Sequence, residues 1–222
     1  MTNPSLPEPV EERLADRLST RHKDAPPSLA VRVLRRLGRL DRAAYRAVAD
    51  LSTPRLDRPL RQVSKFANFS KPWLVIAGML ALFGGAKGRR AAVTGVAAIG
   101  VTSFVVNQPM KLAGGRQRPD RTQMGVPENR WVSMPSSTSF PSGHSASAAA
   151  FAISVGDMMP ELRGPLRAAA IVVMFSRVYT GVHYPSDIVV GAAVGAVVGR
   201  ATSKVARRLR PDPSLRRSGL SG

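Results

Sequence analysis

The chain contains no cysteine. This excludes a disulfide frame, a thiolate nucleophile and a zinc–thiolate centre, and it leaves the redox compartment unread. Aromatic residues are scarce at 5%, and acidic ones are outnumbered, 14 Asp+Glu against 33 Lys+Arg, for a net charge of +19 over 222 residues. Such a balance calls for an anionic partner: nucleic acid, phospholipid headgroups or a phosphorylated substrate. Long apolar runs are few as well. Of five apolar segments only one reaches the roughly 20 residues of a straight bilayer crossing. The N-terminal stretch lacks the apolar core of a secretory signal peptide, and no internal repeat is present.

What the chain does have is arranged in blocks. Residues 1–27 are polar, charged and punctuated by Pro4, Pro7, Pro9, Pro26 and Pro27, which predicts a mobile tail. From Ser28 to Leu51, Leu29, Val33, Leu37, Leu40, Ala44 and Val48 recur at helical intervals among six arginines. This pattern predicts a basic amphipathic helix, broken near Gly38, that lies in a membrane interface or packs on the body of the protein. Ser52 to Lys71, with Pro54 and Pro59, is expected to be a polar linker, so residues 28–71 form one basic N-terminal unit.

The apolar segments follow. Pro72 to Ala86 and Ala91 to Met110 carry no charge, and Lys87-Gly88-Arg89-Arg90 is expected to turn them into a helical hairpin. Ser145 to Gly156, Ala168 to Phe175 and Ile188 to Gly199 come after a long polar loop. The last holds Gly191, Gly195 and Gly199 at four-residue intervals, which suits close helix contact within lipid. Segments apolar all round are buried or lipid-facing, so the expected fold is all-α: an integral-membrane bundle of about five helices over residues 72–205, with a basic tail at 206–222. The expected location is the cell membrane, crossed several times.

Chemistry-bearing residues gather at the segment ends: Lys111 and Arg118 after the second, His144 at the start of the third, Arg177 near the end of the fourth, His183 and Asp187 before the fifth. If each segment crosses once, all six fall on one face. Lys111, Arg118 and Arg177 offer cations suited to phosphate oxygens. Ser139 to Ser147 reads as a turn running into a helix. Ser142 is placed to cap it, and the backbone N–H groups of Ser142, Gly143 and His144 are placed to form an anion nest. Asp187 lies one helical turn from His183 and is positioned to orient it as a base or nucleophile. His144 is placed to give a proton to a departing alkoxide. No metal or cofactor is called for.

The run Lys111-x6-Arg118-Pro119, Pro141-Ser142-Gly143-His144, and Ser176-Arg177-x5-His183-x3-Asp187 resembles the three-part signature of the type 2 phosphatidic acid phosphatase superfamily. The resemblance covers about residues 72–200, and all three parts stand in order and spacing. It implies a metal-independent phosphatase acting on a terminal phosphate of a membrane lipid. The candidates are phosphatidic acid, phosphatidylglycerophosphate, a polyprenyl phosphate or diphosphate, and a polyprenyl-phosphoryl sugar phosphate. Carried over, His183 would attack phosphorus to give a phosphohistidine and Asp187 would orient it. His144 would protonate the leaving oxygen, and Lys111, Arg118, Ser142, Gly143 and Arg177 would hold the phosphate oxygens.

The loop Asp120 to Ser139, with Arg121, Arg130, Trp131 and Ser136 to Thr138, is expected to cover the head group. Two other readings stand beside it: a vanadate-dependent haloperoxidase with His183 as the vanadate ligand, and a non-enzymatic basic module binding nucleic acid or anionic lipid, which would account for the charge of +19 but not for the placement of both histidines. The expected partners are a lipid phosphate and the membrane, with no nucleic acid. Basic loop clusters and the C-terminal tail argue for a site facing away from the cytoplasm; the N-terminal basic helix argues for the reverse.

Overall fold

The computed structural model describes residues 28–110 and 115–209. The predicted tail at 1–27, Lys111 and residues 210–222 lie outside them. Among the described residues all regular structure is helical. The seven α-helices are α1 (Leu29–Ala49), α2 (Pro54–Phe66), α3 (Lys71–Phe83), α4 (Gly85–Val105), α5 (Gly143–Met158), α6 (Arg163–Tyr179) and α7 (Pro185–Leu209).

Helix α5 is the axis of the bundle. Nearly every residue from Ser145 to Gly156 is buried, so the helix shows no polar face, and its alanines and serines let neighbours approach closely. The predicted glycine ladder does this on α7: a Cβ at Gly191, Gly195 or Gly199 would collide with the carbonyl oxygens of Ser142, Ala146 and Ala150. On the opposite flank Gly95 of α4 admits Phe151 and Val155, and Trp73 of α3 stacks obliquely on Phe151 at 5.6 Å between ring centroids.

Outside this core the large side chains point away from the protein. Leu74, Val75, Met79, Leu82 and Phe83 on α3, Val93 and Phe104 on α4, Ile171 on α6, and Val189 and Val197 on α7 are all exposed. An apolar outer surface around a core of small residues is the arrangement of a bundle in lipid, where packing rather than water exclusion joins the helices. By length and composition, the helix over Gly85–Gln108 and α7 can each cross a bilayer. The pair α2 and Asn68–Phe83, bent by 72°, is a third crossing if counted as one broken span.

Three expectations are corrected. The charged cluster Lys87 to Arg90 is not the hairpin turn but the first turns of α4; the reversal occurs two residues earlier, at Gly85, which has φ +61°. Helix α1 runs unbroken through Gly38, and it packs on the bundle through Val31, Gly38, Asp41, Tyr45 and Ala49, while Leu29, Val33, Leu37 and Leu40 face outward. Ser52 to Lys71 is not a linker, since Pro54 opens a helix at a position where its missing N–H costs nothing. The buried face of α2 is Asp57, Leu60 and Ser64, two of three being polar, so no apolar stripe announces it.

Between α2 and α3 the backbone turns through two consecutive left-handed residues, Phe69 (φ 57°) and Ser70 (φ 57°). Neither is glycine, and such conformations cost on the order of 1–3 kcal/mol each and persist only where the surroundings hold them. They bring Asn68 towards α5 and leave Phe69 86% exposed at the mouth of a pocket.

The α5–α7 contact predicts that Gly195→Ala lowers stability by about 1–3 kcal/mol, because the methyl group has to displace backbone. Gly100→Ala, whose added Cβ meets nothing within 4 Å, should leave the melting temperature in detergent unchanged or slightly raised. Thermal unfolding of the two variants side by side checks this.

Candidate active site

One end of the bundle holds a pocket of about 420 Å³, lined by Phe69, Ser70, Leu74, Ile99, Ser103, Asn107, Arg118, Pro135, Ser137, Gly143, His144, Ser147 and His183. Both candidate histidines line it. Helix α4 reaches it through a π turn over Val106–Met110, which carries Asn107.

His183 follows α6 in a tight turn around Gly181 (φ +72°) and is only 2% exposed. Its Nδ1 lies 3.3 Å from Asp187 Oδ2, and its Nε2 lies 3.2 Å from Arg118 Nη1. A guanidinium can only donate, so Nε2 accepts and the ring proton resides on Nδ1, directed at Asp187. The unprotonated nitrogen therefore faces the pocket. Burial pushes the His183 pKa down to about 4; Asp187 works in the opposite direction, and Arg118 and Arg177 add to the depression. At neutral pH the imidazole is a free base.

Asp187, in the first turn of α7 and fully buried, has each oxygen engaged. Oδ2 accepts from the Tyr184 N–H at 2.9 Å and from the Ser139 hydroxyl as well as facing His183. Oδ1 accepts from Arg116 Nη1 at 2.8 Å.

His144 sits in the first turn of α5, as predicted, and Ser142 is the N-cap, accepting from the Ser145 N–H at 3.4 Å and the Ser145 hydroxyl at 3.0 Å. The ring is held by Asn68, whose Oδ1 accepts from Nε2 at 3.0 Å. Ser142 itself stays out of the pocket wall. Its N–H donates to the Asp187 carbonyl at 3.0 Å, so it joins α5 to α7, and the expected three-residue nest is not formed with it.

Arg118 is anchored from several sides, donating to the carbonyls of Ser137 (2.9 Å) and Val182 (2.8 Å) and to the Ser137 hydroxyl (3.3 Å). Burial lowers its pKa to about 10, with Asp187 opposing, so it is a cation at neutral pH. Arg177 is 1% exposed and lies behind the pocket wall, with Nη1 donating to the Ser64 carbonyl (2.9 Å) and hydroxyl (2.7 Å). Among the described residues no carboxylate pairs with it, and its Nε has no hydrogen-bond partner. A buried guanidinium in that condition carries a large desolvation cost that an anion would offset.

The loop expected to cover a head group divides in two. Pro135 and Ser137 line the pocket. Arg130 instead turns inward, 2% exposed, to bridge Asp57 Oδ1 (2.7 Å) and cap the C-terminus of α1 through the Val48, Ala49 and Leu51 carbonyls. Arg121 stacks on Trp131 at 4.7 Å and donates to the Val132 carbonyl. These residues secure the loop to the N-terminal helices and stay clear of the pocket.

Four residues not expected at the site touch its predicted members, Ser64 on Arg177, Asn68 on His144, and Arg116 and Ser139 on Asp187, and a fifth, Asp41, reaches Asp187 through Arg116. Four are small or common polar residues without a motif. Asp41 did leave a trace, being the one acidic residue between Ser28 and Ala49 on an otherwise arginine-rich helix. Among the described residues no three His, Cys, Asp or Glu side chains converge as a metal-ligand set.

Comparison with known proteins agrees with this architecture. The decaprenylphosphoryl-5-phosphoribose phosphatase of Mycobacterium tuberculosis (strain CDC 1551 / Oshkosh) is 35% identical over 157 residues, covering 68% of this chain and 83% of that protein. The lipid A 1-phosphatase of Rhizobium johnstonii is 41% identical over 70 residues, 32% of this chain and 29% of that one. A transmembrane PAP2-type phosphatidylglycerolphosphate phosphatase from Bacillus subtilis superposes with a TM-score of 0.62 at 22% identity, over 79% of this chain and 88% of its own. Aquifex aeolicus LpxE does so at 0.57 and 24%, over 73% and 93%. The fold is therefore that of a membrane protein of this kind, and the sequence pattern of the PAP2 superfamily matches residues 91–211. The chain belongs to the PAP2 superfamily.

Proposed function

We propose that this chain is a metal-independent phosphatase that removes a terminal phosphate from a membrane lipid through a phosphohistidine at His183. The observation that carries this reading is the two-sided environment of that ring. A carboxylate lies on Nδ1, and the basic Nε2 opens on a pocket containing a guanidinium and a second histidine. Nε2 attacks phosphorus and the P–O bond to the lipid breaks. His144 gives its proton to the leaving oxygen, then takes one from the water that releases inorganic phosphate. Arg118 and the carboxylate-free Arg177 balance charge on the transferring phosphoryl group, with Gly143 supplying backbone and Lys111 a further cation. Ser142 acts one step back, by fixing the start of α5.

Among lipid phosphates, a polyprenyl-phosphoryl sugar phosphate is favoured, because the relative matched over 83% of its length is named for such a substrate. A pocket with Pro135, Ile99 and Leu74 beside Ser103, Asn107 and Ser137 suits a polar head group on an apolar chain. In this proposal residues 72–205 form the catalytic domain with five crossings of the cell membrane: α3, α4, α5, α6 and α7. Helix α1 lies at the interface, with Leu29, Val33, Leu37 and Leu40 towards the lipid and its arginines at the headgroups.

Phosphate release from decaprenylphosphoryl-5-phosphoribose in detergent micelles tests the reading. His183→Ala is expected to fall to background and His144→Ala to lose about 10²–10⁴-fold in kcat, with EDTA without effect. Unchanged turnover in the His183 variant sinks the proposal. The acid limb of kcat/KM should fall near pH 4, because His183 must be unprotonated to attack and loses that state only as pH drops through its lowered pKa. A limb at the ordinary histidine value of about 6.5 speaks against His183 as the attacking group.

A further inference from the structure

Beneath the pocket lies a second layer of charge that the mechanism above does not use. Arg116, 0% exposed, is clamped between two carboxylates: Nη1 donates to Asp187 Oδ1 at 2.8 Å and Nη2 to Asp41 Oδ2 at 2.6 Å. Ser186 closes the ring, its N–H on Asp41 Oδ1 (2.8 Å) and its hydroxyl on Oδ2 (2.7 Å). The guanidinium also lies 3.8 Å over the Tyr184 ring. Asp41 belongs to α1, which precedes the region matched by the family pattern at residues 91–211. Neither Asp41 nor Arg116 lines the pocket.

The charge count of this cluster is informative. When His183 attacks phosphorus its imidazole becomes cationic, and a buried cation needs a net negative neighbour. Asp187 is the carboxylate in contact, but Arg116 is bound to its other oxygen, so the pair alone sums to zero. Asp41 takes the far side of the same guanidinium and restores one net negative charge. The triad Asp41–Arg116–Asp187 thus carries −1 against a nucleophile that becomes +1. The other charged groups facing the ring, Arg118 from the loop and Arg177 from α6, are both positive and cannot do this.

We infer that Asp41 and Arg116 are positioning residues for the reaction: Asp41 offsets the charge of the Arg116 guanidinium bound to Asp187, so that the cluster stays net negative and Asp187 stays oriented toward His183. The inference rests on the reading of His183 as nucleophile. It gives α1 a role in catalysis without contact with substrate. The competing explanation is a structural staple that fastens α1 to the bundle, since removing one member of any buried ion pair is destabilising.

The two separate by sign. Asp41→Asn leaves the guanidinium unshared on Asp187, Arg116→Gln leaves two unopposed carboxylates, and the double variant returns the cluster to −1. The measurements are kcat and KM for decaprenylphosphoryl-5-phosphoribose, and the titration of His183 followed by ¹⁵N-histidine NMR of the full chain in micelles, readily assigned because the chain has three histidines.

The expected results are a roughly tenfold fall in kcat for Asp41→Asn, the equivalent of one pH unit of imidazolium stability, with KM within about twofold. Its His183 titration moves to lower pH. The Arg116→Gln titration moves to higher pH, and the double variant recovers both the wild-type titration and most of the lost kcat. A double variant no better than the worse single, with His183 titrating as in wild type throughout, overturns the inference in favour of the staple. If a single variant fails to fold, the kcat of the double variant decides alone: near wild type supports the charge count, and a loss of about tenfold or more overturns it in favour of the staple. Asp187→Asn is the reference. Full activity there removes the nucleophile assignment itself, whereas loss there with an indifferent Asp41 removes only this inference.

Discussion

The buried carboxylate–guanidinium–carboxylate cluster of Asp41, Arg116 and Asp187 is the constraint on which the site depends. Each member on its own would carry a desolvation cost of several kcal/mol, and the three are tolerable only as a complete set. Completeness requires α1, the loop before Arg118 and the first turn of α7 to be in place together. The same requirement fixes Asp187 Oδ2 against His183 and Ser139, and the Asp187 carbonyl against the Ser142 N–H that begins α5. Local order at the catalytic ring is thus a consequence of tertiary assembly.

The rest of the N-terminal region repeats the pattern. Asn68 orients His144, Ser64 supports Arg177, and Asp57 with the α1 carbonyls holds Arg130 and the loop it anchors. Of the histidines and cations of the proposed mechanism, His144 and Arg177 take a partner from residues 64–68, and His183 is reached from Asp41 through Arg116 and Asp187. The family pattern begins at residue 91. The groups proposed to do chemistry lie inside it, and much of what holds them lies before it. Strain at Phe69 and Ser70 fits this division, because the left-handed turn follows directly on Asn68, which holds His144.

Much of the membrane half was legible in the sequence. Gly191, Gly195 and Gly199 could be read as a close helix contact because spacing alone places them on one face, and they meet Ser142, Ala146 and Ala150. His144, His183 and Arg118 could be placed around one pocket from motif spacing and the parity of helix ends. What stayed hidden was polar burial. Helix α2 passed for a linker because Asp57 and Ser64 occupy the positions where apolar residues would have marked a helix face. The periodic apolar residues Leu29, Val33, Leu37 and Leu40 of α1 face outward, whereas its packing face includes Asp41 and Tyr45. Arg130 looked like a head-group ligand, yet three carbonyls and a carboxylate hold it elsewhere; no periodicity in the sequence encodes such a long-range pairing. Hydropathy marks apolar contacts, and the buried Asp41, Asp57 and Ser64, which help join the N-terminal helices to the rest of the protein, escape it.

The central claim, that His183 carries the phosphoryl group, is open to direct capture. The measurement is an alkaline quench of the enzyme in turnover on a lipid labelled with ³²P in its terminal phosphate, followed by peptide mapping. Acid-labile, base-stable label on the peptide containing His183, absent from the His183→Ala chain, is the predicted result. Label on His144, or steady release of phosphate with no labelled protein at any time point, would contradict the account.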